Sequence, residues 1–314
     1  MSRVLQFENV FKGYGGAPAV RDLSFELAEG QICGFLGPNG AGKTTSLRMT
    51  GGMIGPDRGR VSLFGAAPNA TSLKRVGFLP EERGLYKKMR ADEIIAYFGT
   101  LKGLKGSVAM KRARELLERF GLGAHRTKPI KAMSKGMAQK VQILATIVHA
   151  PDFVILDEPF SGLDPVNQKI LEELVVDLRK QGKTVLFSTH VMEHAERLCD
   201  NILLLAKGRK IFDGSVAQAL ALAPRTAILE TDGGFALENF ARDKGFTLAR
   251  PMQIQADSGH HRVEVELPSD DRARELLAAL VEARAPLRRF EPKSVHLHDV
   301  FVQLVDGPGE VKAA

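Results

Sequence analysis

The sequence predicts an α/β fold built around a mostly parallel β-sheet, and two runs of residues carry this prediction. The first is GPNGAGKTT at residues 37–45, which follows the apolar run ICGFL and precedes a helix-like run at residues 45–53. The second is FVILDE at residues 153–158, in which four apolar residues are followed by two carboxylates. Continuous apolar runs of this length are typical of strands that are buried on both faces in a parallel sheet.

The glycine-rich run has the spacing G-x-x-x-x-G-K-[ST], which is typical of loops that bind the phosphates of a nucleoside triphosphate. Its glycines permit positive φ angles, so successive backbone N–H groups can point into one concavity at the start of a helix. Lys43 adds a charge for the β- and γ-phosphates, and Thr44 adds a hydroxyl for Mg²⁺. The alternative is a glycine turn that binds nothing. The predicted nucleotide-binding residues of this run are Gly37, Pro38, Asn39, Gly40, Ala41, Gly42, Lys43, Thr44 and Thr45.

The carboxylates of the second run follow a predicted strand, at the edge where open α/β sheets bind their ligands. We expect Asp157 to hold Mg²⁺ and Glu158 to orient and deprotonate an attacking water. The alternative is an acidic turn before Pro159. A third apolar run, TVLFS, leads to His190, which either reaches a γ-phosphate or is an ordinary surface histidine.

Composition indicates a globular protein that works in the cytosol. Of the 314 residues, 44% are hydrophobic and 26% are charged, which is ordinary for a soluble domain. No apolar run approaches the roughly 20 residues that span a bilayer, and the first residues lack the apolar region of a signal peptide. Cys33 and Cys199 lie far apart in apolar stretches, so we expect both thiols to be reduced.

Positive charge is concentrated in the middle of the chain. Residues 71–140 contain 17 Lys and Arg against 6 Asp and Glu, whereas residues 221–314 contain 12 against 15. A basic region can face anionic lipid or nucleic acid. It can equally be the solvated face of a helical segment.

The remaining sequence of the first 220 residues predicts strands, a helical insertion and a second anion-binding candidate. Residues 4–30 alternate as hairpin-linked antiparallel strands do, and Tyr14 between them either stacks on an adenine ring or is a turn residue. Residues 59–65 and 76–80 predict strands joined by a loop, and residues 91–121 predict helices. Ser134 is a suitable N-cap for a further helix, whose free N–H groups could bind an anion.

The last part of the chain predicts a small α+β domain. Residues 221–225 form a short Ala/Pro linker, after which strand-like and helix-like runs alternate. This region contains no phosphate loop and no metal-ligand spacing, so we expect an accessory role.

The order of these motifs resembles that of the ATP-binding subunits of ABC transporters. The phosphate loop, the strand FVILDE, the turn SGLDP and the run STH occur in the family's order over residues 1–220. The resemblance implies a mostly parallel core sheet, an antiparallel β subdomain, a helical subdomain at about residues 85–150 and a separate domain at residues 221–314. It also implies that Tyr14 stacks on adenine, that Asp164 belongs to the D-loop and that His190 is the switch histidine.

Two positions depart from the usual family pattern. The usual LSGGQ is MSKGM here, and the usual glutamine after the strand at residues 76–80 is Glu81. Both departures resemble the sodium exporter (NatA type) branch of ABC-2 exporters, whose chains carry an extra C-terminal domain. By this resemblance Glu81 joins Thr44 and Asp157 as a metal ligand. A second chain would present four residues to the nucleotide, namely Ser134, Lys135, Gly136 and Met137.

The resemblance implies an ATPase that uses ATP and Mg²⁺, with Lys43, Glu158 and His190 as catalytic residues. It would act as a homodimer on the inner face of the cell membrane and drive export through separate permease subunits. The expected permease contacts are Arg83, Leu85, Tyr86 and the basic helical insertion. The alternative is a soluble ABC ATPase that acts on nucleic acid or ribosomes. Such proteins commonly carry two cassettes or a long coiled-coil insertion, and this chain has neither, so no nucleic acid is expected.

Overall fold

The computed structural model describes residues 2–82, 84–232, 235–250 and 260–306. Arg83, one of the predicted permease contacts, lies outside these residues. The chain divides into two compact units, with the boundary between Val216 and Ala217. None of the helices in the described ranges combines the length and the apolar character that crossing a bilayer requires.

The N-terminal unit is an α/β structure. Its strands are β1 Arg3–Tyr14, β2 Ala17–Ala28, β3 Ile32–Leu36, β4 Arg58–Leu63, β5 Val76–Leu79, β6 Phe153–Asp157, β7 Thr184–Thr189, β8 Asn201–Ala206 and β9 Arg209–Ser215. Its helices are α1 Lys43–Thr50, α2 Ala70–Lys74, α3 Ala91–Leu101, α4 Gly106–Arg119, α5 Lys135–Ile147, α6 Pro165–Lys180 and α7 Met192–Leu198.

The central sheet has the strand order β5-β6-β7-β3-β8-β9. Its first five strands are parallel, and β9 is antiparallel to β8 at the edge. Every residue of β3, β6 and β7 is buried, as the continuous apolar runs predicted. The predicted mostly parallel sheet is therefore confirmed. Its parallel strands bring the residues after β3, β6 and β7 to one edge.

A second, antiparallel sheet has the order β2-β1-β4, which confirms the predicted antiparallel part. Aromatic side chains join this sheet to the central one. The rings of Phe7 and Phe25 stack with centroids 4.6 Å apart, and Phe25 meets Phe35 of β3 edge to face at 5.1 Å. These contacts form part of a continuous apolar core beneath the loop that follows β3.

The helices α3, α4 and α5 form the helical insertion between β5 and β6, and α3 packs against both of the others. Asp92 in the first turn of α3 is completely buried. Its Oδ2 lies 3.3 Å from Arg90 Nη2 and 3.5 Å from Arg114 Nε of α4. The carboxylate therefore joins the start of α3 to the neighbouring helix.

Some local predictions were wrong. Residues 70–74 form α2 rather than a loop, because Asn69 accepts hydrogen bonds from the N–H groups of Thr71 and Ser72 while the Ser72 hydroxyl accepts from Asn69 N. This reciprocal capping stabilises even a five-residue helix. Tyr14 ends strand β1 rather than lying in a loop, since Gly15 and Gly16 alone make the turn.

The C-terminal unit is an α+β structure, as predicted. After α8 Val216–Leu220, its elements are β10 Thr226–Asp232, α9 Leu237–Asp243, β11 Leu248–Arg250, β12 His260–Glu266, α10 Asp270–Glu282, β13 Leu287–Pro292 and α11 Leu297–Asp306. The sheet is antiparallel with the order β11-β12-β10-β13. From β10 to β13 this order is that of a split βαβ arrangement. The strand-like runs TAILET and HRVEVELP correspond to β10 and β12, whereas β11 and β13 were not predicted.

Candidate functional site

The glycine-rich loop joins β3 to α1 and turns through several positive φ angles. Gly37 has φ 146°, Gly40 has φ 80° and Gly42 has φ 102°. A Cβ atom at Gly37 would clash with the carbonyl oxygen of Leu205, and one at Gly42 would lie 2.5 Å from that of Ala19. The loop is therefore packed too closely against neighbouring backbone for larger residues, and it leads directly into the start of α1.

Lys43, the first residue of α1, is buried with its ammonium group at the mouth of the loop. Its Nζ donates to the carbonyl oxygens of Gly37 at 2.6 Å and Pro38 at 3.2 Å. The same nitrogen lies 3.6 Å from Glu158 Oε1. The phosphate-binding loop and the carboxylate pair thus meet at one point of the sheet edge.

Asp157 ends β6 and is 3% exposed. Its Oδ1 accepts hydrogen bonds from Ser188 Oγ at 2.6 Å and from Thr44 Oγ1 at 3.3 Å. Burial raises the pKa of the Asp157 carboxyl, and the charge of Glu158 adds to this rise, whereas the two hydroxyl hydrogen bonds oppose it.

Glu158 has a left-handed backbone conformation, with φ 46°. Its amide donates to Ser188 Oγ at 2.9 Å. His190 Nδ1 donates to Glu158 Oε2 at 2.9 Å, and the imidazole is about half exposed. A non-glycine residue in this conformation costs of the order of 1–3 kcal/mol and is frequent at functional sites. The Glu158 carboxylate lies between Lys43 and His190.

Lys43, Glu158 and His190 line a cavity of about 370 Å³ together with the glycine-rich loop, whereas Asp157 lines an adjoining cavity. Backbone N–H groups and positive charge on one side, with carboxylates on the other, are the chemistry that a triphosphate and an attacking water require. Thr44 Oγ1 and Asp157 Oδ1 are adjacent hard oxygen donors beside the loop, which fits Mg²⁺. The cavity is lined by Ala19, Pro38, Asn39, Gly40, Ala41, Gly42, Lys43, Thr44, Thr45, Glu81, Glu158, Ser161 and His190.

Other predicted site residues do not line this cavity in the described part of the chain. Tyr14 lies at the end of β1 and is 53% exposed, with Lys12 Nζ 5.8 Å from its ring centroid. Asp164 caps α6 by accepting from Asn167 N at 3.0 Å. This bond and a second one from the Asn167 side chain lower the pKa of the Asp164 carboxyl.

The segment MSKGM opens α5. Ser134 is its N-cap and accepts from Met137 N at 3.3 Å. Lys135 lines a second cavity of about 400 Å³, which shares Glu81 and Glu158 with the first. Within the described residues, Ser134, Gly136 and Met137 line neither cavity.

Sequence reasoning missed three polar residues that hold the site together. Ser188 binds Asp157 and Glu158, as described above. Gln139 Nε2 of α5 donates to the carbonyl oxygens of Pro159 at 3.0 Å and Ser161 at 3.3 Å, and Gln142 Nε2 donates to that of Glu82 at 3.3 Å. Nothing within β7 distinguishes Ser188, because Thr184 and Thr189 of the same strand also carry hydroxyl groups.

Comparison with known proteins identifies relatives among ABC transporter ATP-binding proteins. A family profile described as ABC transporter matches residues 20–161. The uncharacterized ABC transporter ATP-binding protein YhaQ of Bacillus subtilis is 35% identical, over 96% of this chain and 98% of that protein. The Nod factor export ATP-binding protein I of Ralstonia nicotianae is 33% identical, over 96% of this chain and 93% of that protein.

Two further comparisons cover less of the chain. The ABC transporter ATP-binding protein NatA of Bacillus subtilis is 39% identical, over 63% of this chain and 82% of that protein. The solved structure of cbiO1 from Clostridium perfringens, described as part of the ABC transporter complex cbiONQ, has a TM-score of 0.63 and 25% identity. It covers 70% of this chain and 92% of its own.

Proposed function

Because this chain belongs to the family of ABC transporter ATP-binding proteins, which hydrolyse ATP to power transport, we propose that it drives export of a substrate through separate membrane subunits. The observation that carries the proposal is the meeting of Lys43, Asp157, Glu158 and His190 at the phosphate-binding loop. In this proposal residues 1–220 bind and hydrolyse ATP, and residues 221–314 are an accessory domain.

Hydrolysis needs a positioned water and compensation of negative charge. The Glu158 carboxylate takes a proton from the water as its oxygen bonds to the γ-phosphorus, while the bond from phosphorus to the β–γ bridging oxygen breaks and ADP leaves. Lys43 offsets charge on the β- and γ-phosphates. His190 holds Glu158 through the 2.9 Å hydrogen bond. Thr44 and Asp157, with Glu81, would hold Mg²⁺, which would supply further neutralisation of the phosphate charge.

A second copy of the chain completes the site in this proposal. Ser134 and Lys135 are exposed at the start of α5, where free N–H groups favour an anion. Since Ser134, Gly136 and Met137 do not line the phosphate cavity of their own chain, we assign them to the γ-phosphate of a partner's ATP. Tyr14 is exposed as a stacking partner for adenine requires, and Asp164 lies at the dimer face. Binding of ATP closes the dimer and hydrolysis reopens it.

The membrane subunit docks on the segment that follows Glu81 and on the adjoining helical insertion. Tyr86 is 56% exposed and its ring meets that of Tyr97 with centroids 5.8 Å apart. Leu101, one turn further along α3, is also exposed. Contiguous exposed apolar side chains mark protein interaction sites. In this proposal the chain is a peripheral protein on the inner face of the cell membrane, and the exposed apolar side chains support a contact with its membrane subunit.

The relatives support export as the function, and they give less support to sodium as the transported substrate. The Nod factor export relative matches 96% of this chain, whereas NatA matches 63%. Neither these relatives nor cbiO1 is described as acting on nucleic acid or ribosomes. Purification from membranes in mild detergent separates the two functions. A hydrophobic protein that stays bound supports transport, whereas bound RNA or DNA would support the alternative.

The decisive variant for the catalytic assignment is Glu158→Gln, which keeps the shape of the side chain and removes its ability to accept a proton. We expect ATP binding to persist, turnover to fall by about 10²–10⁴-fold and the protein to accumulate as a dimer with ATP. Phosphate release and size-exclusion chromatography measure these effects, with the exposed Glu193→Gln as control. Hydrolysis by Glu158→Gln at the parental rate would show that Glu158 is not the base.

A further inference from the structure

Ser188 is a buried hydroxyl at the end of β7, directly across from the carboxylate pair. In the parallel pairing of β6 and β7 it is the register partner of Asp157. Its Oγ donates to Asp157 Oδ1 at 2.6 Å and accepts from the amide of Glu158 at 2.9 Å. One side chain of β7 therefore binds two consecutive residues of the neighbouring strand end.

The two hydrogen bonds have opposite senses. The Ser188 hydroxyl donates its hydrogen to the Asp157 carboxylate, and a lone pair of the same oxygen accepts a hydrogen bond from the Glu158 amide. Together they fix the direction of the Asp157 side chain and the orientation of the peptide between Asp157 and Glu158. That peptide precedes Glu158, whose backbone is left-handed. The free-energy cost of this conformation must be offset by contacts with the surrounding structure.

Ser188 acts on the site without lining it. It is completely buried, and among the described residues it lines neither the phosphate cavity nor the adjoining cavity that Lys135 lines. Glu158 lines both cavities and Asp157 lines the adjoining one, so Ser188 acts on the site through the two residues that it binds.

We propose that Ser188 is a positioning residue for ATP hydrolysis, which holds Glu158 at the phosphate cavity and Asp157 at the adjoining cavity through its two hydrogen bonds. This inference rests on the proposed role of Glu158 as proton acceptor. A carboxylate turned away from the water cannot accept its proton at full rate, because catalysis of this kind depends on geometry within hydrogen-bonding distance.

The test is Ser188→Ala in the full chain, with Ser188→Thr as the variant that keeps a hydroxyl. For Ser188→Ala we expect kcat at saturating Mg²⁺ to fall by about 10–100-fold, the range found when residues that orient active-site ligands are removed. Affinity for a fluorescent ATP analogue, measured without Mg²⁺ so that it reports on the glycine-rich loop, should stay at the parental value. Ser188→Thr should recover most of kcat.

Thr184→Val is the matched control, because Thr184 is a buried hydroxyl at the other end of β7 that accepts from Gly30 N at 3.0 Å. It should keep the parental kcat. The inference is overturned if Ser188→Ala turns over as fast as Thr184→Val, or if its kcat and its analogue affinity fall together. Either result leaves the proposed function intact. A parental chain that releases no phosphate from ATP would instead overturn the proposed function, and the inference with it.

Discussion

His149, at the end of the helical insertion, should make the stability of the protein fall as the solution becomes acidic. Its Nε2 donates to the carbonyl oxygen of Val76 at 3.2 Å. Within the described residues Nδ1 is buried and has no hydrogen-bond partner. Burial, with the nearby charges of Lys102 and Arg112, lowers the pKa of His149 from 6.5 to about 4.

The sign of the effect follows from this lowered pKa. As the pH falls below 6.5, His149 takes up a proton in the unfolded chain, whereas in the folded protein it stays neutral until about pH 4. Acid therefore favours unfolding in this window. Without solvent screening, this difference in pKa would lower the free energy of unfolding by about 2 kcal/mol between pH 8 and pH 5. Because the ring is partly exposed, solvent screening lowers the expected loss to about 1 kcal/mol.

The assay is urea unfolding of the parental chain and of His149→Gln at pH 8 and pH 5. We expect the parental chain to lose about 1 kcal/mol more than the variant between the two values, since glutamine does not titrate but can still donate to Val76. The exposed His125→Gln controls for removal of a histidine. Parallel pH profiles for the parental chain and His149→Gln would refute the reasoning.

Two further predictions concern the loop and the helical insertion. Lys43→Ala removes the buried ammonium group, so ATP affinity should fall by about 10- to 100-fold, as loss of a hydrogen bond to a charged group implies; unchanged binding in a titration would refute the phosphate assignment. Asp92→Asn removes the charge that faces Arg90 and Arg114, so the free energy of unfolding should drop by about 1–2 kcal/mol. A parental melting temperature for this variant would show that the two ion pairs contribute nothing.

The parts of the fold that could be predicted are those whose structure follows from the residues of one short segment. The strands β3, β6 and β7 consist mainly of apolar residues because both faces of a parallel sheet are covered, so their burial is evident from the sequence alone. Because the strands are parallel, the residues that directly follow each strand are predicted to lie at the same edge of the sheet. Lys43 and Glu158 were expected together on this basis, and they lie 3.6 Å apart.

The parts that were missed depend on contacts between distant segments. Ser188 is an ordinary serine in its own strand, and its importance follows from its register with Asp157, which lies 31 positions earlier. Gln139 and Gln142 look like polar positions on a helix until the loops after β5 and β6 are placed beside them. The helix α2 was missed although its signal is local, because Asn69 caps its start and Ser72 completes a capping box.

The two glutamines of α5 bind loops that leave adjacent strands, β5 and β6. They are three positions apart and therefore lie on one face of the helix. Any sliding of α5 along its axis would stretch both sets of hydrogen bonds at once, so the helix and the two loops should shift as a single body. A displacement of the backbone at Glu82 should therefore be passed through Gln142 to Ser134, the N-cap of the same helix.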